Sequence, residues 1–283
     1  MLLFCSLVSL FTGSGCQKRE RYDLRYIFKD GESFSYNIVT DQSTEIQNQD
    51  DINFYQSSSR FILRYTTDSV SDGNTAWFSF SYDSIKVAGD ADADPIQKNL
   101  KNINSMRGGL KITDKGEIIG ASGLDELMGT DEMSDFNVTK MLVKLLPVFP
   151  GEPIALNREW SREQKFPVEN KLIKGNMLVY KHYKLEKAVL ENQGKLLHIS
   201  SVIKMKLELP QSGEKRFSVK KGENIDVGLI GTGSIIYDTA RHIITAAKAD
   251  FSGQMIFELN DPFDEKSILS RISIKQQLEL KLR

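Results

Sequence analysis

The sequence predicts a mainly β protein whose antiparallel sheets form two tandem, related β-rich units joined by a short helix. Three observations predict it. Apolar and polar residues alternate with a period of two along several long stretches, as strands with one buried and one solvated face require. Strong helical periodicity is confined to a single segment. The chain also resembles itself at an offset on the order of 120 residues, which is how an internal repeat announces itself.

The elements follow in chain order. "TAWFSFSYDSIKV" alternates Phe78, Phe80 and Tyr82, then changes phase to Ile85 and Val87, which predicts a bulge near Asp83. "SDFNVTKMLVKLLP" carries the helix. Ser134 is its N-cap, Val138, Met141, Leu142 and Leu145 form the apolar stripe, and Pro147 stops it. "KLLHISSVIKMKLEL" places Leu197, Ile199, Ser201, Ile203, Met205, Leu207 and Leu209 on one face. "SILSRISIKQQLELKLR" does the same for Ile268, Ile272, Ile274, Leu278, Leu280 and Leu282. The self-match sets "FKDGE" at 28–32 against "FPGE" at 149–152, and "GGLKITDKGEIIGAS" against "GTGSIIYDTARHIITAA". The resulting division is 25–133 for the first unit, 134–147 for the helix and 148–283 for the second unit.

"VGLIGTGSIIYD" at 227–238 is ambiguous. Gly231 and Gly233 begin a dinucleotide-binding fingerprint, but Ile236 stands where the third glycine belongs and the remaining chain is β-patterned. The repeat reads this stretch as a hairpin whose glycines serve a loop or bulge of unusual φ. Ile236, Ala240, Ile243 and Ala247 would alternatively stripe a helix.

Composition narrows the function classes. The 283 residues are 40% hydrophobic and 27% charged, with a net charge of −1, so no basic footprint for nucleic acid is present. Lys204 and Lys206 fall on the polar side of a strand. The two cysteines, Cys5 and Cys16, leave the body without a thiol nucleophile or a Cys-based zinc site. Asp90, Asp92 and Asp94 have calcium-loop spacing, but Pro95 and Lys101 replace the required Gly and Glu. His182, His198 and His242 lack metal-ligand spacing and are expected at the surface, whereas Trp77 and Trp160 are expected in the core. The sequon at Asn137 lies within the expected helix. No residue is assigned to catalysis, to a cofactor or to a metal.

The N-terminus reads as an address. An apolar run, Leu2 to Phe11, is too short to span a bilayer and suits a signal peptide over 1–15. Gly13, Ser14 and Gly15 lead to Cys16, and "QKRERYD" follows within a tether over 16–24. This resembles the lipobox of bacterial lipoproteins, and the resemblance implies lipidation of Cys16. Gly13 stands where Leu is usual, and no Lys or Arg precedes the apolar run. An ordinary cleaved secretory signal is the alternative. Together with "LRYIFKDGESFSYNI", "GGLKITDKGEI", "LLPVFPGEPI" and "GTGSIIYD", the chain resembles uncharacterised bacterial envelope lipoproteins. By fold analogy it is also similar to lipoprotein-carrier-like half-barrels that hold acyl chains against a curved sheet.

The function expected from these readings is a membrane-tethered, non-catalytic protein of the bacterial cell envelope. Its partners would be the membrane, through the lipid anchor, and a lipid or envelope protein. Two other readings stay open: a secreted hydrolase or glycan-active enzyme using strand-borne carboxylates, and a structural partner of an outer-membrane assembly.

Overall fold

The structure is a computed structural model that describes residues 20–48, 51–71, 74–89, 107–122, 142, 144–169, 174–191, 194–208, 228–260 and 267–283. The first strands are β1 (Arg21–Tyr22), β2 (Ser33–Asn48), β3 (Asp51–Ser71), β4 (Thr75–Gly89), β5 (Arg107–Ile112) and β6 (Ile118–Ser122). After β7 (Ile154–Ala155) come β8 (Glu159–Glu169), β9 (Lys174–Glu191), β10 (Gly194–Glu208), β11 (Gly228–Asp238), β12 (Ile243–Asn260) and β13 (Ser267–Leu282). β1 pairs with β7, and the other eleven form one antiparallel sheet in the order β6, β5, β4, β3, β2, β13, β12, β11, β10, β9, β8.

The mainly β, antiparallel character is as the alternation requires. Two meanders, β2 to β6 and β8 to β13, share a single sheet because β13 pairs with β2 from Ser270↔Asn48 to Leu282↔Tyr36. Both strands carry apolar inward positions in the same register, with Leu280 opposite Ile38. Pairing therefore extends a buried row and removes two exposed edges. No helix joins two units among the described residues. Of the helix expected over 134–147, residues 142, 144 and 145 are helical, and the Leu146 N–H donates to the Leu142 carbonyl at 2.7 Å. Residues 134–141 and 143 lie outside the described residues, as do Cys5, Cys16, Asp90, Asp92 and Asp94.

The inner face is a stack of cross-sheet rows. One row runs Leu185, Ile199, Ile235, Ala247, Leu280, Ile38, Phe61 and Ile85. The first seven of these are buried, Ala247 included, and Ile85 packs against them half-buried. The expected bulge is present: β4 skips Asp83 between Ile62↔Ser84 and Leu63↔Tyr82. The skip returns Ile85 and Val87 to the inner face. Trp160 is buried as expected, and its Nε1 donates to the Val148 carbonyl at 2.9 Å. Trp77 corrects the core expectation. It is 37% exposed, because the phase that buries Ala76 and Phe78 turns it outward, with Lys111 Nζ 5.6 Å from its ring centre.

A sheet this wide curls, and one segment shows how far. The Phe149 N–H donates to the Lys115 carbonyl in the β5–β6 turn at 2.7 Å, while its own carbonyl accepts from Arg162 on edge strand β8 at 3.1 Å. Residues 142 and 144–149 thus form a strap that reaches both ends of the sheet. Tyr183 Oη accepts from the Val148 N–H at 3.2 Å, and Lys181 Nζ donates to the Leu146 carbonyl at 2.9 Å. The extended segment with Tyr22, Leu24 and Tyr26 lies in the same core.

The stretch Gly228–Asp238 resolves on the hairpin side. β11 and β12 pair in antiparallel register across a turn at 239–242. Asp238 Oδ1 accepts from the Ala240 and Arg241 N–H groups at 2.8 and 3.2 Å, and His242 takes a φ of 55°. The expected role of Gly231 and Gly233 is corrected: both sit within β11, not in a loop, and neither has positive φ. They are needed for close approach. A Cβ at Gly231 would lie 2.4 Å from the Phe251 ring, and one at Gly233 would lie 2.8 Å from the Lys248 carbonyl oxygen. Gly233→Val is expected to lower stability by about 1–3 kcal/mol through overpacking, read as a reduced midpoint in urea unfolding.

Candidate functional site

The inner face closes on a cavity of about 790 Å³. Strands β2, β3, β4, β5 and β13 supply Phe34, Tyr36, Tyr65, Phe78, Ile112 and Leu282 as its sheet wall. The extended segment supplies Tyr26, Ile27 and Phe28, the strap supplies Leu142 and Leu146, the β11–β12 turn supplies His242, and the start of β12 supplies Ile243. Each contribution follows from local structure. The sheet residues share one phase of the alternation, and Leu142 and Leu146 fall one helical turn apart, so both face the same way. Between them Lys144 points elsewhere, donating to Gln276 Oε1 at 2.6 Å and lying 5.5 Å from the Phe251 ring centre.

Six aromatic rings form a connected wall. Tyr26 stacks on Phe28 at 5.9 Å, and Phe28 meets Phe78 edge-on at 5.1 Å. Phe78 meets Phe34 at 6.2 Å, and Phe34 contacts Tyr65 and Tyr36, both at 5.6 Å. Such contacts fix ring orientation as well as burying area. The phenols differ in their hydrogen bonding. Tyr36 Oη donates to the Ile244 carbonyl at 2.9 Å. Tyr26 Oη and Tyr65 Oη are buried and have no partner. Burial pushes all three phenols above their ordinary range, so they stay protonated.

The charged lining residues, Lys29, Glu32, Arg241 and Arg283, are exposed at the mouth. Arg241 is engaged by Asp238, Nε to Oδ2 at 2.8 Å. His242 is half-buried. Tyr237 Oη donates to the Arg25 carbonyl at 2.5 Å, so its one proton is committed, and the 2.9 Å contact with His242 Nδ1 requires the imidazole to donate there.

The other expected positions lie apart from the cavity. His182 is exposed on β9, 2.9 Å from Ser161 Oγ and 3.4 Å from Glu159. His198, on neighbouring β10, is half-buried on the outward phase, and burial lowers its pKa. Lys204 and Lys206 are exposed. Among the described residues no group of three or more His, Cys, Asp or Glu side chains is placed to hold a metal ion.

A second, shallow groove of about 870 Å³ is lined by outward-phase residues including Asp41, Ser43, Asp250, Ser252, Lys275 and Gln277. Gln277 pairs with both Asp41 and Asp250, so the two carboxylates straddle one strand. Both are exposed. Neither has the burial that turns one carboxyl of such a pair into a general acid.

Sequence reasoning did not single out Tyr26, Tyr65 or Lys181. Lys181 is 2% exposed on the inner face, and desolvation lowers its pKa to about 7. Its signal was available, since Met177, Val179, Tyr183 and Leu185 share its phase. The tyrosines gave none, because an inward Tyr is an ordinary core residue.

No protein-family model matches the chain, and no curated protein matches its sequence. Among solved structures, the chain of a study of lipid–protein interactions in lipovitellin is similar at a TM-score of 0.47 and 11% identity, over 90% of this chain and 25% of that one. DynF from the dynemicin biosynthesis pathway of Micromonospora chersina aligns at a TM-score of 0.21 and 6% identity, over 93% and 85% of the two chains. A DUF1329 family protein from Desulfovibrio piger aligns at 0.15 and 9%, over 85% and 83%. This chain spans a quarter of the lipovitellin chain's length. Likenesses this distant leave the site to be read from its own residues.

Proposed function

We propose that the protein is a lipid-anchored component of the bacterial cell envelope that binds an apolar ligand, without catalysis, in the cavity on the inner face of its curled sheet. The observation that carries the binding is the cavity itself. It has about 790 Å³ of space and a connected aromatic wall, within the size range of small-molecule sites and with the mostly apolar lining they share. A well-packed core of this composition would close such a space. The carboxylate-based hydrolase reading asks for two facing carboxylates in a pocket, and the only carboxylate side chain among the lining residues described is Glu32, at the mouth. The anchor rests on the sequence up to Cys16.

Titration with a neutral, environment-sensitive naphthalene dye tests the binding. Saturable binding near one dye per chain is expected. Ile243→Trp, which fills the cavity from the β12 end, is expected to weaken it at least about tenfold while the thermal transition stays cooperative. Equal dye affinity in both proteins would refute the site. The anchor is tested separately: Cys16→Ala is expected to move the protein from the membrane fraction to the soluble fraction. Two acyl attachments give stable anchoring that the soluble body lacks. Retention in the membrane without Cys16 would contradict lipidation.

A further inference from the structure

We propose that the end of the sheet carrying the cavity mouth lies against the bilayer that holds the lipidated Cys16, so that the cavity opens onto lipid instead of water. This rests on the Cys16 anchor and on the cavity being a binding site, and adds how the two are placed. The tether is short. Glu20, its side chain bonded to the Lys195 ammonium at the start of β10, stands four positions after Cys16. Fully extended, that length of chain spans about 14 Å at most. Lipid head groups occupy roughly 5–7 Å of it, since the acyl chains of the anchor reach the hydrocarbon. The part of the fold around Lys195 is therefore held at the membrane surface.

Lys195 belongs to the same end as the mouth. Its N–H donates to Thr239 Oγ1 at 2.9 Å, and its carbonyl accepts from the Thr239 N–H at 3.0 Å. Thr239 leads directly into Ala240, Arg241 and His242, which line the cavity. From Glu20 the extended segment then crosses this end of the sheet. Its Arg25 carbonyl accepts from Tyr237 Oη at 2.5 Å, its Tyr26 N–H donates to the Asp114 carbonyl at 2.7 Å, and the Gly31 N–H reaches the Thr67 carbonyl on β3 at 2.8 Å. Exposed apolar side chains lie on this end too. Leu190, directly across the β9–β10 hairpin from Lys195, is 79% exposed, more than any other large apolar side chain among the described residues. Ile27 lines the cavity and is 45% exposed, which places it at the opening. In water both are left uncovered, whereas a bilayer interface buries such side chains. Tether length and apolar exposure thus turn the same end of the molecule to the lipid.

The test uses the full lipidated chain in vesicles of phosphatidylethanolamine and phosphatidylglycerol, some of whose lipids carry a nitroxide quencher high on an acyl chain. A small thiol-reactive fluorophore is placed at Leu190→Cys, Ile27→Cys or Tyr180→Cys. Lipidation occupies Cys16 and signal cleavage removes Cys5, so each introduced thiol is the only one. All three positions are exposed and accept a label. Tyr180 lies ten positions from Leu190 along β9, on the order of 33 Å away, and serves as the distant control. Quenching of at least about twofold is expected at 190 and at 27, where the side chains enter the interface, with little at 180. Quenching at 180 equal to that at 190, or none at any position while the protein floats with the vesicles, would overturn the proposal and leave the anchor standing. Quenching at 190 without quenching at 27 would leave the mouth in water and overturn it as well. A chain that does not float with the vesicles would remove the anchor, and this placement with it. Dye binding in solution is indifferent to all of these outcomes, so the cavity stands or falls by its own titration.

Discussion

Phe149→Ala is expected to lower unfolding stability by about 3–5 kcal/mol, the cost of a large cavity in a packed core. Phe149 is fully buried, with its ring 5.0 Å from Tyr26 and 5.1 Å from Tyr237. Its backbone joins the β5–β6 turn to Arg162 on the opposite edge strand. The ring thus packs a segment that spans the curl of the sheet. The loss should exceed that of a comparable truncation elsewhere in the core, such as Leu63→Ala, which opens one site without loosening the strap. Urea unfolding of the two variants checks this. A cost for Phe149→Ala below about 1 kcal/mol, in the range of surface substitutions, would show that the strap does not depend on its side chain.

The second large effect is a pH dependence centred on Lys181. It is buried and donates to the Leu146 carbonyl, with no acidic partner among the described residues, and desolvation brings its pKa down to about 7. The unfolded chain keeps the same group protonated to about 10.4. Between these values the unfolded state binds more protons, so stability rises with pH, by up to ~1.4 kcal/mol per unit. Below about 7 both states hold the proton and the penalty is at full size. Above pH 10 the slope reverses. The buried phenols of Tyr36, Tyr65 and Tyr183 are pushed above their ordinary value. The folded chain then retains protons that the unfolded chain releases. Stability is expected to peak between about pH 9 and 10. Lys181→Met should flatten the limb from 7 to 10 and stabilise the protein at neutral pH by about 1–4 kcal/mol, as replacing a buried charge with an apolar side chain can. Chemical denaturation from pH 6 to 10 measures both. An unchanged slope in Lys181→Met would assign the pH dependence to other groups.

The strands were legible in the sequence because period-two alternation is local. The stripe from Leu197 to Met205 and the phase change at Asp83 could be read without knowing any partner strand. Pairing of β13 with β2 was not legible, since it joins residues more than 200 positions apart through backbone bonds that leave no mark on composition. By residue type Gly231 and Gly233 suit a loop or bulge, although their strand phase faces the Phe251 ring and the Lys248 carbonyl. By size Trp77 suits the core, although the phase of Phe78 and Phe80 turns it outward. In both cases the alternation carried more information than the residue type. The cavity was beyond reach for a related reason: its wall combines six strands, the extended N-terminal segment, the strap and the β11–β12 turn, and only their packing shows that the space between them stays open.

The central claim is that this space holds an apolar molecule. The most direct measurement is mass spectrometry of an organic extract from the protein purified without detergent, set beside the same extract from Ile243→Trp. A defined apolar compound at close to one molecule per chain, depleted in the variant, is the predicted result. Extracts free of any stoichiometric apolar compound, together with failure of the native chain to bind the naphthalene dye, would contradict the account.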